Sequence, residues 1–271
     1  MLHLRPRSLD RTPVSMAGVV PDALADKSLA EIERIDLWQG NRQVPLAELF
    51  DVAGDPADLV IRIEGDCSSA HDLAADMQQG ELHVVGYVGR HAGQGMRGGL
   101  LSISGDAGDW LGAAMRGGRI DVTGDAGNHV GGSLPAAKVG MRGGQIVVHG
   151  NCGTHAGERM RRGWITVVGD CGEWAGYQMR AGTLMVLGQC GPRVGSGMRR
   201  GTIALLGTAP TLLPTFRYAC DFAPQALTLM LRDLAEQGLD VSSTSASYSL
   251  FNGDLLEGGR GELLVLLDPL S

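Results

Sequence analysis

Cys152, Cys171 and Cys190 stand nineteen residues apart, and Cys67 takes the same place after a Gly-Asp pair. Thiols at a fixed interval invite a metal reading. A metal site, however, needs ligands that converge on an ion from several sides, and even spacing in a repeat supplies only a line. Ala107 and Ala126 hold the same place in other repeats, as a small core residue does. The spacing predicts an inward column of small side chains. His91, His129 and His155 share a second column with Trp110, Trp174 and Arg193. Neighbouring imidazoles could hold a metal, but the sequence supplies no third ligand, nor the acid or nucleophile that histidine chemistry needs. The column reads as an outward stripe of bulky side chains, suited to stacking and to a partner surface.

The third column is cationic. Arg97, Arg116, Arg142, Arg161, Arg180 and Arg199 each follow a methionine: Met96, Met115, Met141, Met160, Met179 and Met198. Like charges about 5 Å apart repel by less than ~1 kcal/mol per pair in water. Such a column is tolerable but calls for anions. They could be groups of this chain, carboxylates of a partner protein or an acidic ligand.

These columns exist because the chain repeats. The methionines are separated by 19, 26, 19, 19 and 19 residues, and Met77 extends the series backwards by another 19. The period is therefore 19, with seven residues inserted within "GGSLPAAKVG", residues 131–140. Each period opens with alternating apolar residues, such as Leu101 and Ile103 or Ile165 and Val167, the mark of a strand with one buried face. GxxGxxxG follows, as in Gly105, Gly108 and Gly112, and then Met-Arg-x-Gly. A unit this short cannot bury its own apolar side, but stacked units can. The pattern predicts a mainly-β chain, a right-handed parallel β-helix of seven or eight coils. The Met column would lie inside, with Leu111, Val130, Ala156, Ala175 and Val194 as another inward column.

Composition narrows the function. The net charge of −7 over 271 residues argues against a general nucleic-acid binder. Glycine is abundant, at 42 residues, yet 44% of residues are hydrophobic, so this is no disordered Gly-rich chain. The sequence has no apolar run long enough for a membrane helix and no signal-peptide core at its start, and its five cysteines are odd in number with no CxxC. A cytoplasmic location is expected. The nonapeptide calcium repeat and the dinucleotide fingerprint both fail, the first on period and the second for want of a βαβ unit.

The repeats need caps. Residues 1–58 form an expected N-terminal capping segment, with a short helix in "KSLAEIERI" and a mixed stretch in "VPLAELFDV". Residues 59–207 are the expected β-helix. Residues 208–271 hold an amphipathic helix, "QALTLMLRDLAEQGL", ended by Gly238, and a hairpin closed near Asn252-Gly253 or the Gly258–Gly261 stretch. Outward strand positions turn apolar late in the series, at Val147, Val168, Met185, Leu187, Ala204 and Leu206. Such a face is expected to be covered, partly by the C-terminal helix and partly by a partner.

The flanks and the repeat together resemble the C-subunit family of formylmethanofuran dehydrogenase and of the bacterial formyltransferase/hydrolase complex. The resemblance runs through "DKSLAEIERIDLWQGNRQVPLAELFDV", "GGSLPAAKVGMRGG" and "FNGDLLEGGRGELLVL" and covers nearly the whole chain. The repeats alone also resemble the C-terminal β-helix domain of glutamate synthase. The first resemblance implies a non-catalytic scaffold that binds no cofactor or metal itself. Its implied partners are a formyltransferase subunit, an amidohydrolase-like hydrolase subunit and a further member of the complex, with no nucleic acid and no membrane. Tetrahydromethanopterin and a methanofuran-type carrier act at the level of the complex, where formyl-tetrahydromethanopterin is converted to formate in formaldehyde oxidation. The alternatives are the C-subunit of a tungsten or molybdenum dehydrogenase and a coupling domain like that of glutamate synthase. The carrier's glutamate-rich tail makes Arg142, Arg161 and Lys138 candidate contacts for it or for an acidic partner face.

Overall fold

The computed structural model describes residues 1–7, 9–239, 241 and 246–267. The chain is mainly β, with one large sheet, a small second sheet and few helices. In chain order the elements are β1 (Leu2–Pro6), β2 (Val14–Ser15), α1 (Pro21–Leu24), α2 (Leu29–Glu33), β3 (Asp36–Gln39), β4 (Arg42–Pro45), α3 (Leu46–Leu49) and β5 (Phe50–Gly54). The repeats follow with β6 (Val60–Glu64), β7 (Ala70–His71), β8 (Glu81–Val85), β9 (Leu100–Ile103), β10 (Arg119–Val122), β11 (Arg142–Val148), β12 (Arg162–Val167), β13 (Thr183–Val186) and β14 (Arg200–Leu205). The chain ends with β15 (Arg217–Phe222), α4 (Gln225–Glu236), β16 (Tyr248–Gly253) and β17 (Arg260–Leu266).

β6 and β8 to β14 lie side by side in sequence order, each parallel to the next. The alternating apolar residues set the register. Leu82, Leu101, Ile120, Ile146, Ile165, Leu184 and Ile203 stand opposite one another across the sheet, and all are fully buried. Ile120 pairs with Ile146 despite the insertion between them, so the extra residues leave the ladder in step. A second ladder of single parallel bridges joins Cys67, Val88, Ala107, Ala126, Cys152, Cys171 and Cys190. Each repeat is therefore laddered to its neighbours at two strand positions, and further backbone hydrogen bonds join them at the turns. The six predicted methionines and Met77 are fully buried in the core, together with Leu111, Val130, Ala156, Ala175 and Val194. Burying one such side chain is worth roughly 1.5–3 kcal/mol, which becomes a stable core only when repeats stack.

The "GMRGG" run has a steric reason. A Cβ on Gly98 would sit 2.2 Å from the Gln78 carbonyl oxygen, and one on Gly99 would sit 2.4 Å from that of Gly80. Gly99 also has φ +77°, which side chains disfavour. The chain turns into its strand directly over the preceding repeat, and only hydrogen fits there.

Both ends of the sheet are extended by non-repeat strands. β1 adds parallel to β6, and β5 closes that end antiparallel to β1. β17 adds parallel to β14, followed by antiparallel β16 and β15. The predicted short helix is α2, capped where Ser28 N and Oγ donate to Glu31 Oε2 at 2.8 and 2.6 Å. "VPLAELFDV" supplies α3 and β5. The expected hairpin forms, its last strand pair being Gly253 with Gly261 and its connection Asp254–Gly259; Asn252 belongs to the strand. Buried Asp254 fixes this turn: its carboxylate accepts from Leu256 N and Gly197 N, each at 3.0 Å.

α4 lies on the outer face of the late strands. Leu227, Leu231 and Leu234, spaced for one helix face, pack in a cluster with Val147, Met185, Leu187, Ala204 and Leu206. Those strand residues are buried by this chain alone, and only Val168 stays half-buried. The cover comes from α4 together with Leu239, Val241 and the β16–β17 residues Tyr248, Leu264 and Leu266, and the part left open is at Val168.

Candidate functional site

The arginine column is positioned through its backbone. Arg116, Arg142, Arg161 and Arg199 each donate their amide to a methionine carbonyl one repeat earlier, at 2.6–2.8 Å. The side chains of Arg97, Arg116, Arg142, Arg161 and Arg199 are exposed and that of Arg180 is half-buried. Arg199 pairs with Glu257 at 2.8 Å. Among the described residues the other five have no ion pair. Arg142, Arg161 and Arg162 line one shallow recess, and Arg180, Arg199, Arg200 and Arg260 line another with Glu257 as the sole carboxylate. Arg162, Arg200 and Arg260 lie outside the predicted column. They enter because Arg142 pairs across the sheet with Arg162, and Arg200 with Arg260. The result is a cationic stripe on an acidic chain, able to hold carboxylates or phosphates through planar, paired donors.

Lys138 is exposed in the insertion. Arg159 anchors that loop, donating from Nη1 to the Ala137 carbonyl at 2.9 Å and accepting at its own carbonyl from Gly140 N at 3.0 Å. The structure brings Arg142 and Arg161 together but shows no ion pair for Lys138 among the described residues.

The ring column is stacked. His91 lies on Trp110, Trp110 on His129, His129 on His155 and His155 on Trp174, with centroids 4.9–6.0 Å apart, and Arg193 covers Trp174 at 4.9 Å. All six residues have φ between +60° and +64°, so the backbone turns through the left-handed region at the same corner in each repeat. Burial, followed by the nearby His129, lowers the pKa of His155.

A residue outside the predicted columns completes this region. Glu158 is buried, with His129 Nδ1 2.9 Å from one oxygen and Ser133 Oγ 3.2 Å from the other. Ser133 and His129 both address Glu158 rather than each other. The hydroxyl is thus not handed to an imidazole base, and the cluster ties the insertion to the ring column.

The cysteine column faces inward. Cys152 and Cys171 sulfurs lie 3.2 Å apart, and Cys67, Cys152, Cys171 and Cys190 are all buried. Burial pushes the Cys67 thiol up to about 12. Hydrogen bonds from Cys152 and Cys190, then burial, push Cys171 well above its ordinary value. Such thiols are poor nucleophiles and poor metal ligands. Among the described residues, no three His, Cys, Asp or Glu side chains form a group able to hold a metal ion.

The residues that follow the strand-ending glycines, Asp106, Asp125, Asn151 and Asp170, form another ladder. Asp106 Oδ1 accepts from Asp125 N, Asp125 from Asn151 N, Asn151 from Asp170 N and Asp170 from Gln189 N, at 2.7–2.8 Å. Each carbonyl or carboxylate oxygen satisfies an amide of the next repeat. Among the described residues no helix is long and apolar enough to cross a membrane.

Three comparisons place the chain among known proteins. The GXGXG motif family matches residues 62–216. The C-subunit of the tungsten-containing formylmethanofuran dehydrogenase 2 of Methanothermobacter thermautotrophicus is 39% identical over 94 residues, which is 33% of this chain and 35% of that protein. The C-subunit of the molybdenum-containing formylmethanofuran dehydrogenase 1 of Methanosarcina barkeri is 36% identical over 77 residues, 27% of this chain and 26% of that protein. The matched part thus spans 35% and 26% of the length of these relatives. Over its full length the chain is similar to one in the crystal structure of the formyltransferase/hydrolase complex (FhcABCD) from Methylorubrum extorquens with methylofuran. The TM-score is 0.91 at 34% identity, covering 99% of this chain and 100% of that one. The chain belongs to the GXGXG motif family and is related to the C-subunits of formylmethanofuran dehydrogenases and to a chain of the formyltransferase/hydrolase complex.

Proposed function

We propose that this chain is the non-catalytic scaffold of a cytoplasmic formyltransferase/hydrolase complex. The complex would take the formyl group of formyl-tetrahydromethanopterin through a formylated methanofuran-type carrier to formate. The observation that carries this reading is the full-length likeness to a chain of the Methylorubrum extorquens complex, caps included, at a TM-score of 0.91. In this reading the two parallel ladders are the walls of a right-handed parallel β-helix over 59–207, capped by 1–58 and 208–271. A rod of this kind binds partners along its sides and carries no reacting group.

The exposed arginines give the reading a chemical handle. Arg142 and Arg161, with Lys138 in the insertion, attract the carrier's acidic tail or an acidic partner face. Arg142→Gln with Arg161→Gln then weakens complex assembly or apparent carrier affinity, more at low salt than at high. An unchanged complex with unchanged affinity at low salt removes this part of the proposal.

The similarity to proteins of the tungsten and molybdenum dehydrogenases supports a second reading, the C-subunit of a formylmethanofuran dehydrogenase. Gentle affinity purification of the chain from its host, followed by mass spectrometry, separates the two. A formyltransferase and an amidohydrolase-like partner without a metal–pterin protein support the first. A metal–pterin partner moves the chain to the second, and a clean monomer removes both.

A further inference from the structure

β15 ends the large sheet with its edge open among the described residues. All six of its residues are exposed, Tyr218 to 54% and Phe222 to 40%. It is held by antiparallel pairing to β16 and by an edge-on contact of Tyr218 with Phe251, centroids 5.8 Å apart. Edge strands are usually guarded by charges, lysine above all, by proline, by bulges or by shortness. Arg217–Phe222, RYACDF, has no lysine or proline; it carries two aromatic residues, one charge of each sign and a bulge at Ala219.

The pairing of β15 makes the edge self-complementary. Tyr218 stands opposite Phe251 and Cys220 opposite Leu250, so Ala219 is an extra, bulged residue. The next strand gives the faces. Phe251 and Ser249 pair with Leu263 and Val265, which pack in the interior core. Leu250 and Tyr248 pair with Leu264 and Leu266, which pack under α4. Tyr218 and Asp221 therefore face the interior side, and Cys220, Phe222 and Arg217, opposite Asn252, face the α4 side. From either end, the strand runs α4 side, interior side, central pair, interior side, α4 side. Strict alternation over six residues would lack this symmetry. The bulge creates it.

We propose that β15 is the docking edge for a second copy of this chain, paired antiparallel about a two-fold axis between Ala219 and Cys220. Such a pairing joins like faces. It sets Tyr218 opposite Asp221 of the second copy and Arg217 opposite Phe222 of the second copy, each contact occurring twice as a two-fold interface requires. Within each copy Asp221 already accepts from Ser249 Oγ at 2.6 Å and from the Tyr218 hydroxyl of its own strand, and the pairing brings the second copy's hydroxyl to the remaining capacity of the same carboxylate. The guanidinium lies over the ring. The two sheets become continuous. An edge of this size buries less than the roughly 1,000 Å² of a stable interface, so the isolated chain dimerises in a concentration-dependent way. The proposal is independent of the reaction the chain serves.

Cys220 is the exposed cysteine among the five and flanks the axis. The purified full chain is treated with a short bis-maleimide and run on a denaturing gel, with light scattering of the untreated protein alongside. The expected result is a band at twice the chain mass that is absent in Cys220→Ser, with dimer forming as concentration rises. Ala219→Lys, which keeps the strand but charges the axis, lowers the dimer fraction about tenfold. A wild-type chain that stays monomeric at high concentration overturns the proposal, and that measurement needs no variant. So does a dimer indifferent to Ala219→Lys, or cross-linking of Cys220 to a different polypeptide in the intact complex.

Discussion

The indole of Trp110 lies flat against the imidazole of His129, with ring centroids 5.0 Å apart and planes 4° from parallel. Both residues have left-handed backbone, φ +60° and +61°. The stacking offsets a conformation that costs a side-chain-bearing residue about 1–2 kcal/mol. Trp110→Ala keeps the backbone cost and loses two ring contacts, so it destabilises by about 2 kcal/mol. Trp110→Gly, free of the backbone cost, is milder by about 1 kcal/mol. Denaturant unfolding of the pair measures both, and an alanine variant as stable as the glycine variant refutes the corner argument.

Acid should weaken the same column. His155 has a lowered folded-state pKa, from burial first and from His129 second. The unfolded chain therefore takes up the proton more readily than the folded one. The contribution is intact above the ordinary imidazole value of about 6.5 and is lost as pH falls through the lowered folded value. Melting temperature followed from about pH 7 to pH 5 drops in the wild type, and His155→Asn flattens that slope. His71, lowered by burial, leaves a residual slope in the variant.

Thiol chemistry separates the five cysteines. Cys220 is exposed and the other four are buried. A disulfide-exchange reagent titrates one thiol quickly in the native chain and the rest only on unfolding. Fast reaction of a second thiol in native conditions contradicts the inward column.

Thr166 is fully buried in the sheet face under α4, and its hydroxyl has no hydrogen-bond partner. It stands in the same strand row as Val147 and Met185. Thr166→Val removes the unmet donor at nearly constant volume and should raise stability by about 1 kcal/mol in denaturant unfolding. A loss of similar size means that the hydroxyl is satisfied in solution.

Much of this architecture is legible in the sequence because it is periodic. The Met and Cys columns, the strand positions and the place of the insertion all follow from the 19-residue step. Leu227, Leu231 and Leu234 mark α4 by helical spacing, and the apolar late strands mark where it lies. Features set by single long-range contacts are not legible. β1 joins β6 from outside the repeat, and "LHLRP" has nothing periodic to announce it. Glu158 meets His129 from 29 residues away, at a position that varies between repeats. The second arginine row depends on which residues fall opposite in the sheet, and Arg200 meets Arg260 only because β17 inserts next to β14.

The undisturbed pairing of Ile120 with Ile146 makes the sheet a ruler. Its length counts strands, at about 4.8 Å each, and ignores what is inserted between them. The distance between the two ends can therefore change only in whole strand steps. Loops such as 131–140 can lengthen or shorten to fit a neighbour without moving either end.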